Sequence, residues 1–214
     1  MGRMVVIEGL DGAGKRTLAD KLTAACAERG ATVARLAFPR YGRDVHADLI
    51  ADALHGRLGD LGASVHGMAT LFALDRYGAA GDIRAALITH DVVLLDRYVA
   101  SNAAYGAARL HQDAGGEFVA WVRELEIDRF GLPVPHLHLL LRVSPEVAAE
   151  RSAHRERTES DRERDTWEAD GGLQARCAAV YDQLAERGWL SPWHLVDGTS
   201  TVAFAELAAL VCKT

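Results

Sequence analysis

The stretch Gly9–Thr17, GLDGAGKRT, constrains the fold of this chain more than any other feature. It follows a short apolar run, Val5–Glu8, which predicts a buried strand, and it precedes a helical pattern. Gly9, Gly12 and Gly14 allow backbone N–H groups to turn toward an anion, and the positive end of the helix points at the same place. The alternative is a glycine-rich turn without a ligand, but strand, loop and helix stand in the order of a phosphate-binding loop.

The loop departs at two positions from the usual motif G-x-x-x-x-G-K-[ST]. Arg16 stands where a hydroxyl normally binds magnesium, and the hydroxyl of Thr17 lies about 100° further around the helix. Asp11 places a carboxylate inside an anion site, where it needs a partner such as a metal ion, Arg97 or a substrate hydroxyl. We therefore expect Asp11 to share in metal coordination, while Lys15 and Arg16 meet the phosphates.

The composition excludes several classes of protein. The 214 residues are 49% hydrophobic and 25% charged, a balance typical of one folded globular domain rather than of a disordered chain. The net charge of −6 provides no general basic surface for nucleic acid or for a membrane, and no apolar run approaches the roughly 18 residues of a membrane span. The three cysteines, Cys26, Cys177 and Cys212, lie far apart and predict reduced thiols in a cytosolic setting.

Short β-branched runs alternate with longer helical patterns along the chain. Besides the first strand, the patterns predict strands at Thr32–Phe38, Val92–Leu95, His138–Val143 and His194–Val196. They predict a helical region at Ser64–His90 with a break near Gly81, and a late helix at about Asp165–Arg187. This alternation is typical of an α/β fold with a parallel sheet covered by helices on both faces. Functional residues are expected at the carboxyl ends of the strands.

Five motifs follow one another in a specific order: EGLDGAGK, AFPRYG, TLFALDR, LLDRYVASNAAY and an arginine-rich segment. In this combination the chain resembles the thymidylate kinases, which transfer the γ-phosphoryl group of ATP to dTMP. The resemblance extends from Val5 to about Leu184. It implies one P-loop kinase domain over residues 1–214 with a five-stranded parallel sheet, Mg²⁺ as a cofactor, a cytoplasmic location and a homodimer. One subset of the family carries an arginine after the loop lysine, as Arg16 does here.

The motif Asp96–Tyr98 (DRY) ends the third predicted strand. A carboxylate at this place near a phosphate loop commonly serves magnesium through water, although such an acid also occurs as a helix cap or at the surface. Arg97 has the planar fork that binds a phosphate with two hydrogen bonds. The resemblance assigns Arg97 to the dTMP phosphate, and it places Arg40 and Tyr41 near the same group.

Two pairs of side chains are candidates for contacts with a base and a sugar. Phe72 and Arg76 share one face of a predicted helix, where a ring and a guanidinium suit a planar base, although such a pair more often belongs to the core and a salt bridge. Asn102 offers a donor and an acceptor to a pyrimidine edge, and Tyr105 could crowd the ribose 2′ position, unless both lie at an exposed helix start. The resemblance implies that both pairs bind the nucleotide. Phe38 either lines this pocket or fills the core.

The segment Arg151–Arg164 mixes five arginines with acids, a composition that usually marks a solvated helix face. At this point of the chain, the resemblance implies a lid at about residues 151–164 that closes over ATP and excludes water. Arg151 and Arg155 are four residues apart and are the candidates for phosphate contacts from the lid.

Three residues after the lid complete the predicted site. By resemblance Asp165, Trp167 and Glu168 approach the acceptor, and the two acids are candidate metal ligands. Trp167 keeps the flat ring of the tyrosine that is more usual in the family, but it lacks the phenol oxygen. The candidates for ATP binding are thus Gly9, Gly12, Ala13, Gly14, Lys15, Arg16, Thr17, Arg151 and Arg155. The candidates for dTMP binding are Asp11, Phe38, Arg40, Tyr41, Phe72, Arg76, Arg97, Asn102, Tyr105, Asp165 and Trp167. The candidates for catalysis are Asp11, Lys15, Arg16 and Arg97, and those for metal binding are Asp11, Asp96, Asp165 and Glu168.

Three other functions stay open from the sequence alone. The nearest is a P-loop kinase for a deoxynucleoside or for another nucleoside monophosphate. A GTPase-like switch predicts a guanine-reading N-K-x-D sequence after a late strand, and the chain has none. A nucleotide-binding module without catalysis is disfavoured because Lys15, Asp96 and Arg97 are all present.

Overall fold

The structure, a computed structural model, describes residues 1–158, 167 and 170–213. Within them the chain alternates between strands and helices, and the strands form one sheet in which all neighbours run parallel. The strands are β1 (Arg3–Glu8), β2 (Val33–Ala37), β3 (Val92–Asp96), β4 (Leu137–Arg142) and β5 (Trp193–Asp197). Their order across the sheet is β2-β3-β1-β4-β5. The predicted five-stranded parallel sheet is therefore confirmed.

Helices cover both faces of this sheet. They are α1 (Lys15–Glu28), α2 (Val45–Leu54), α3 (Val65–Gly78), α4 (Ala80–Thr89), α5 (Val99–Arg109), α6 (Glu117–Arg123), α7 (Pro145–Thr158), α8 (Gly171–Glu186) and α9 (Phe204–Val211). A short 3₁₀ turn (Leu61–Ala63) precedes α3, and a π-helical segment (Glu124–Arg129) continues α6. No helix in the described part of the chain is long and apolar enough to cross a membrane.

The centre of the sheet forms the core. Met4, Val5, Val6 and Ile7 of β1 are all fully buried, as expected for a parallel strand with helices on both of its faces. Strand β1 begins two residues earlier than the apolar run predicted, because the backbone N–H of Arg3 donates to the carbonyl of Asp91 (2.8 Å).

Two predicted helix boundaries were wrong. The break in the long helical region lies at Ala79 rather than near Gly81, and this fully buried alanine caps both α3 and α4. The late helix begins at Gly171 rather than near Asp165, since the side chain of Asp170 accepts a hydrogen bond from the N–H of Leu173 (2.9 Å) and so caps it. Asp165 itself lies outside the described residues.

The register of the strands brings several motifs to one edge of the sheet. Asp96 at the end of β3 pairs with Ile7 of β1 on one side and with Ala37 of β2 on the other. The glycine loop, the Arg97 turn and the segment after β2 therefore leave the sheet side by side. Helix α5, which carries Asn102 and Tyr105, starts at this edge and packs against α8.

Candidate active site

The glycine loop after β1 is closed tightly against β4 and α7. Gly12 has a left-handed backbone (φ +82°), and a Cβ at this position would lie 2.0 Å from the carbonyl oxygen of Ala148. A Cβ on Gly9 (φ +143°) would lie 2.6 Å from the carbonyl oxygen of Leu141. Only glycine fits these two positions, and the loop leads directly into the N-terminus of α1, where free N–H groups favour an anion.

Lys15 lies over the loop. Its Nζ donates to the carbonyls of Gly9 (3.1 Å) and Leu10 (2.8 Å). Burial and the charge of Arg97 lower the pKa of Lys15, while Asp11 and Asp96 raise it, and the net result is a pKa of about 8. The ammonium group is thus held in place before any ligand binds, and it remains mostly protonated at pH 7.

Arg16 and Thr17 are exposed in the first turn of α1. Neither side chain forms a hydrogen bond or an ion pair with the described part of the chain. The predicted contact of Arg16 with phosphates stays a prediction, and its guanidinium is free to meet a ligand. Thr17 likewise holds an unengaged hydroxyl one residue beyond the usual magnesium position.

Asp11 finds its partner in Arg97. The Nη2 of Arg97 donates to one carboxylate oxygen of Asp11, and the hydroxyl of Tyr105 donates to the other (2.6 Å). Burial raises the pKa of Asp11, but the charges of Arg97 and Lys15 and the hydrogen bond from Tyr105 outweigh it, so that the pKa falls to about 2. The carboxylate inside the anion site is therefore neutralised by the arginine that was one of its three predicted partners.

Arg97 is fixed by its backbone as well as by its side chain. It has a left-handed backbone (φ +66°), which is strained for any residue other than glycine. Its N–H donates to the carbonyl of Ile7 (2.9 Å), and its Nη1 donates to the hydroxyl of Ser101 (3.0 Å). Its Nε donates to no described residue. Arg97 is thus held rigidly and still has one donor for a ligand.

Glu8 holds the start of α5, which follows Arg97, and it was not among the residues predicted from the sequence. Its fully buried carboxylate accepts hydrogen bonds from the N–H groups of Tyr98 (3.0 Å) and Ser101 (3.2 Å) at the start of α5. The hydroxyls of Ser101 (2.5 Å) and Tyr181 (3.1 Å) donate to its other oxygen. Burial raises the pKa of Glu8 in spite of these bonds. An acid at the end of an otherwise apolar strand was the signal that could have revealed it.

Asp96 lies partly exposed at the end of β3, and its carboxylate accepts no hydrogen bond from the described residues. The described residues contain no cluster of three or more His, Cys, Asp or Glu side chains that could hold a metal by themselves. Mg²⁺ commonly takes one or two protein carboxylates and fills its other positions with water and substrate phosphates. One free carboxylate beside a phosphate loop fits that requirement.

Arg40 follows β2 and is held in place by two acids, Asp44 and Asp75. Its Nε donates to Asp75 (2.7 Å), and its Nη2 donates to Asp44 (2.6 Å) and to the carbonyl of Asp75 (2.7 Å). Its Nη1 donates to no described residue. Tyr41 is half exposed, whereas Phe38 is buried in the core with its ring 6.0 Å from that of Tyr98. Of the two alternatives for Phe38, the structure places it in the core.

Three aromatic rings lie near one another, and one of them belongs to Tyr105, which contacts Asp11. The ring of Trp167 is 5.8 Å from that of Phe72 and is stacked on that of Tyr105 at 6.1 Å. The guanidinium of Arg109 lies 4.5 Å from the Trp167 ring centre. The predicted aromatic residues are thus brought together, although they come from three distant parts of the sequence.

Arg76 and Asn102 are both buried and share a partner that was not predicted, Glu126. Arg76 donates to Glu126 through Nε (2.6 Å) and Nη2 (2.8 Å), and Asn102 donates to it through Nδ2 (2.8 Å). The pair of Arg76 and Glu126 is almost completely enclosed, with exposed side-chain fractions of 2% and 0%. Arg76 therefore forms a salt bridge, which was one of the two alternatives predicted for it. If Arg76 also contacts a base, it does so through Nη1, which donates to no described residue.

The arginine-rich segment begins in α7. Arg151 donates to the carbonyls of Ala13 in the glycine loop (3.1 Å) and Gly198 after β5 (3.1 Å). This contact ties the start of the segment to the loop. The side chain of Arg155 and the whole of Asp165 and Glu168 lie outside the described residues, so their predicted contacts stay predictions.

Comparisons with known proteins identify the family of this chain. The family model described as thymidylate kinase matches residues 7–192. The chain is 55% identical over 193 residues to the thymidylate kinase of Mycobacterium tuberculosis (strain ATCC 25618 / H37Rv), with 90% of each chain covered. It is 36% identical over 186 residues to that of Leifsonia xyli subsp. xyli, covering 86% of this chain and 82% of the relative. It is 28% identical over 202 residues to the human thymidylate kinase, covering 94% and 84%. The chain belongs to the thymidylate kinase family.

Proposed function

We propose that this protein transfers the γ-phosphoryl group of ATP to the 5′-phosphate of dTMP, giving ADP and dTDP. The observation that carries the proposal is the position of Arg97. Its side chain is bonded to Asp11 of the glycine loop, its guanidinium lies 5.3 Å from the ring centre of Tyr105, and its Nε donates to no described residue. The family to which the chain belongs supports the identity of donor and acceptor.

The donor phosphates bind in the glycine loop. Backbone N–H groups of the loop, the N-terminus of α1 and the ammonium group of Lys15 supply the positive environment that a triphosphate requires. Arg151 reaches the same loop from α7. We propose residues 151–164 as a lid that closes over ATP, so that water is kept from the γ-phosphoryl group.

The acceptor needs no general base. The second pKa of a phosphate monoester is near 6, so at pH 7 the acceptor is mostly a dianion that is already nucleophilic. The main barrier is the repulsion between the negative charges of ATP and dTMP, which positively charged side chains held in fixed positions can reduce. Arg40 and Arg97 are each held by at least one carboxylate, and each keeps one nitrogen that donates to no described residue, which suits them to bind the acceptor phosphate. Arg16 is free to approach the transferred group as an arginine finger supplied by the same chain.

The base and sugar bind among the rings of Phe72, Trp167 and Tyr105. Stacking on a flat ring suits a pyrimidine. Arg76 and Asn102 contact the polar edge of the base.

Mg²⁺ is the cofactor we propose, and Asp96 is the carboxylate that would hold it. When bound, the ion neutralises charge on the donor phosphates. Asp11 already accepts hydrogen bonds on both of its oxygens, so the structure favours Asp96 over Asp11 as a direct ligand. Asp165 and Glu168 stay candidates by resemblance.

We also propose a cytoplasmic homodimer. The described cysteines are all free thiols, which is usual in a reducing compartment. Val45 on α2 and Tyr77 on α3 are exposed apolar side chains on neighbouring helices, at 65% and 53%, and offer a surface for a second copy.

The test is a coupled assay of ADP release with ATP, Mg²⁺ and a panel of acceptors. We expect release with dTMP, and much weaker release with thymidine, dCMP or dGMP. Lys15→Ala provides the inactive control. Release with thymidine but not with dTMP would identify a nucleoside kinase instead, and binding of both nucleotides without release would identify a module without catalysis.

A further inference from the structure

Glu126 lies at the centre of a small buried network that includes Arg76 and Asn102. It belongs to the π-helical segment Glu124–Arg129, and its carboxylate is fully buried. Arg76 and Asn102 both donate to it, over distances of 2.6 to 2.8 Å. The carboxylate thus holds the two residues that we assign to the edge of the base.

The contacts of Asn102 determine which end of its amide faces a ligand. The same nitrogen, Nδ2, lies 2.8 Å from the Glu126 carboxylate and 3.0 Å from the carbonyl oxygen of Ala69. Both neighbours are acceptors, so a reversed amide would place Oδ1 against two other oxygens. The two N–H groups of Asn102 are therefore used, and Oδ1 remains as an acceptor.

Whereas Asn102 keeps an acceptor, Arg76 keeps a donor. Its Nε and Nη2 are bonded to the two oxygens of Glu126, and Nη1 donates to no described residue. Arg76 thus retains a donor. One oxygen of Glu126, Oε1, accepts from both Arg76 and Asn102, so the two side chains converge on it. Neighbouring side chains thus keep one acceptor and one donor without a described partner.

Thymine and uracil present the complementary pattern. Their N3–H donates and their O4 accepts, whereas cytosine has an acceptor at N3 and a donor at the 4-amino group. A cytosine would therefore set acceptor against Asn102 Oδ1 and donor against Arg76, leaving buried polar groups unpaired. Thymine and uracil are equivalent to this network, since it does not contact position 5.

We propose that Glu126 is a positioning residue that makes the acceptor site select 4-oxopyrimidines against 4-aminopyrimidines. It acts through Asn102 and Arg76 and does not itself touch the nucleotide. This inference rests on the proposed function, because it assumes that Asn102 and Arg76 meet the base.

The test replaces Glu126→Gln and compares kcat/KM for dTMP, dUMP and dCMP. The amide NH₂ of glutamine is a donor, unlike either carboxylate oxygen of Glu126. If this NH₂ faces Asn102, the amide of Asn102 turns so that Oδ1 accepts from it and Nδ2 faces the base. If the NH₂ faces Arg76 instead, two donors meet and the position of Arg76 is disturbed. We expect the preference for dTMP over dCMP to fall by about tenfold or more, while the ratio of dTMP to dUMP stays within about twofold. Glu124→Gln, in the same segment but at the surface in an ion pair with Arg129, is the matched control and should change neither ratio.

The outcomes separate this inference from the proposed function. A wild-type protein that does not phosphorylate dTMP contradicts the function. An active wild type together with a folded Glu126→Gln variant that keeps its preference for dTMP over dCMP, or that loses activity equally on all three acceptors, overturns the role of Glu126. If Glu126→Gln does not fold, Glu126→Asp, which retains the buried charge on a shorter side chain, should still lower the preference by about threefold or more. An unchanged ratio in that variant also overturns the inference.

Discussion

Two arginine–carboxylate pairs of the proposed acceptor site lie in different surroundings. Arg97 and Asp11, which we assign to the phosphate end, are partly open, with side chains 15% and 23% exposed. Arg76 and Glu126, which we assign to the base end, are 2% and 0% exposed. An open pair can loosen when a phosphate arrives and competes for the arginine. An enclosed pair keeps its geometry and so can present a constant pattern of donors and acceptors to a base.

The comparison also shows how fixed arginines stay available. Arg40, Arg76 and Arg97 are each held by a carboxylate and each keep one nitrogen without a described partner. The carboxylate lowers the conformational entropy that is lost on binding, because the guanidinium is already in place. It also neutralises the arginine while no nucleotide is present, which matters most where the pair is buried.

The largest effect should follow from breaking the enclosed pair. Arg76→Met leaves the Glu126 carboxylate buried without its charged partner, and we expect the free energy of unfolding to fall by about 3–5 kcal/mol. Urea denaturation monitored by circular dichroism measures it. Arg129→Met removes a surface pair with Glu124 and should cost less than about 1 kcal/mol. Equal losses in the two variants would show that burial does not distinguish the pairs.

The next effect concerns the open end. Arg16→Ala should lower kcat by about 10²–10³-fold and leave the dissociation constant of dTMP nearly unchanged, since Arg16 is expected to act on the transferred group. Its exposed side chain has no described partner, so the melting temperature should not move. Arg29→Ala, an exposed arginine at the other end of α1, is the control. An unchanged rate in Arg16→Ala would refute its role as an arginine finger.

A smaller effect links Asp11 to stability. Its pKa of about 2 in the folded state is lower than its ordinary value of 3.8. The ionised carboxylate therefore contributes stability above about pH 4, by about 2 kcal/mol, and this contribution is lost as the pH falls through 2. Asp11→Asn should be less stable than the wild type at pH 7, and the difference should narrow at pH 3 in urea titrations. A difference that is the same at both pH values contradicts the coupling to Arg97.

The smallest effect is the pH dependence of Lys15. In the free enzyme its pKa is about 8, so kcat/KM for ATP should decline above pH 8, by about tenfold per pH unit once the group is mostly neutral. Lys15→Arg keeps its charge at higher pH and should move the decline upward by more than one unit. If the decline stays in place in this variant, another group titrates there.

Much of the fold could be predicted from local patterns. Short β-branched and apolar runs indicated the five strands, and their alternation with helical patterns indicated a parallel sheet. The helix boundary at Ala79 could not be predicted, because the burial of this alanine depends on tertiary contacts. The boundary at Gly171 had a local signal that was overlooked, since Asp170 caps the helix through the N–H of Leu173.

The site shows the same division. Motifs at strand ends indicated Lys15, Asp96 and Arg97, since a parallel sheet brings strand ends together whatever lies between them. Glu126 could not be found in this way, as it lies 50 residues beyond Arg76 in the chain, in a helical segment with ordinary charged neighbours. Its partnership with Arg76 exists only after α3, α5 and the π-helical segment have packed.

The most direct test of the whole account identifies the product. Enzyme, Mg²⁺ and ATP labelled on the γ-phosphate are mixed with dTMP, and the nucleotides are separated by ion-exchange chromatography. The account predicts that the label moves into dTDP and that dTDP and ADP form in equal amounts. Label released as inorganic phosphate while dTMP stays unchanged would contradict it, because the site would then hydrolyse ATP without transferring the phosphoryl group to a nucleotide.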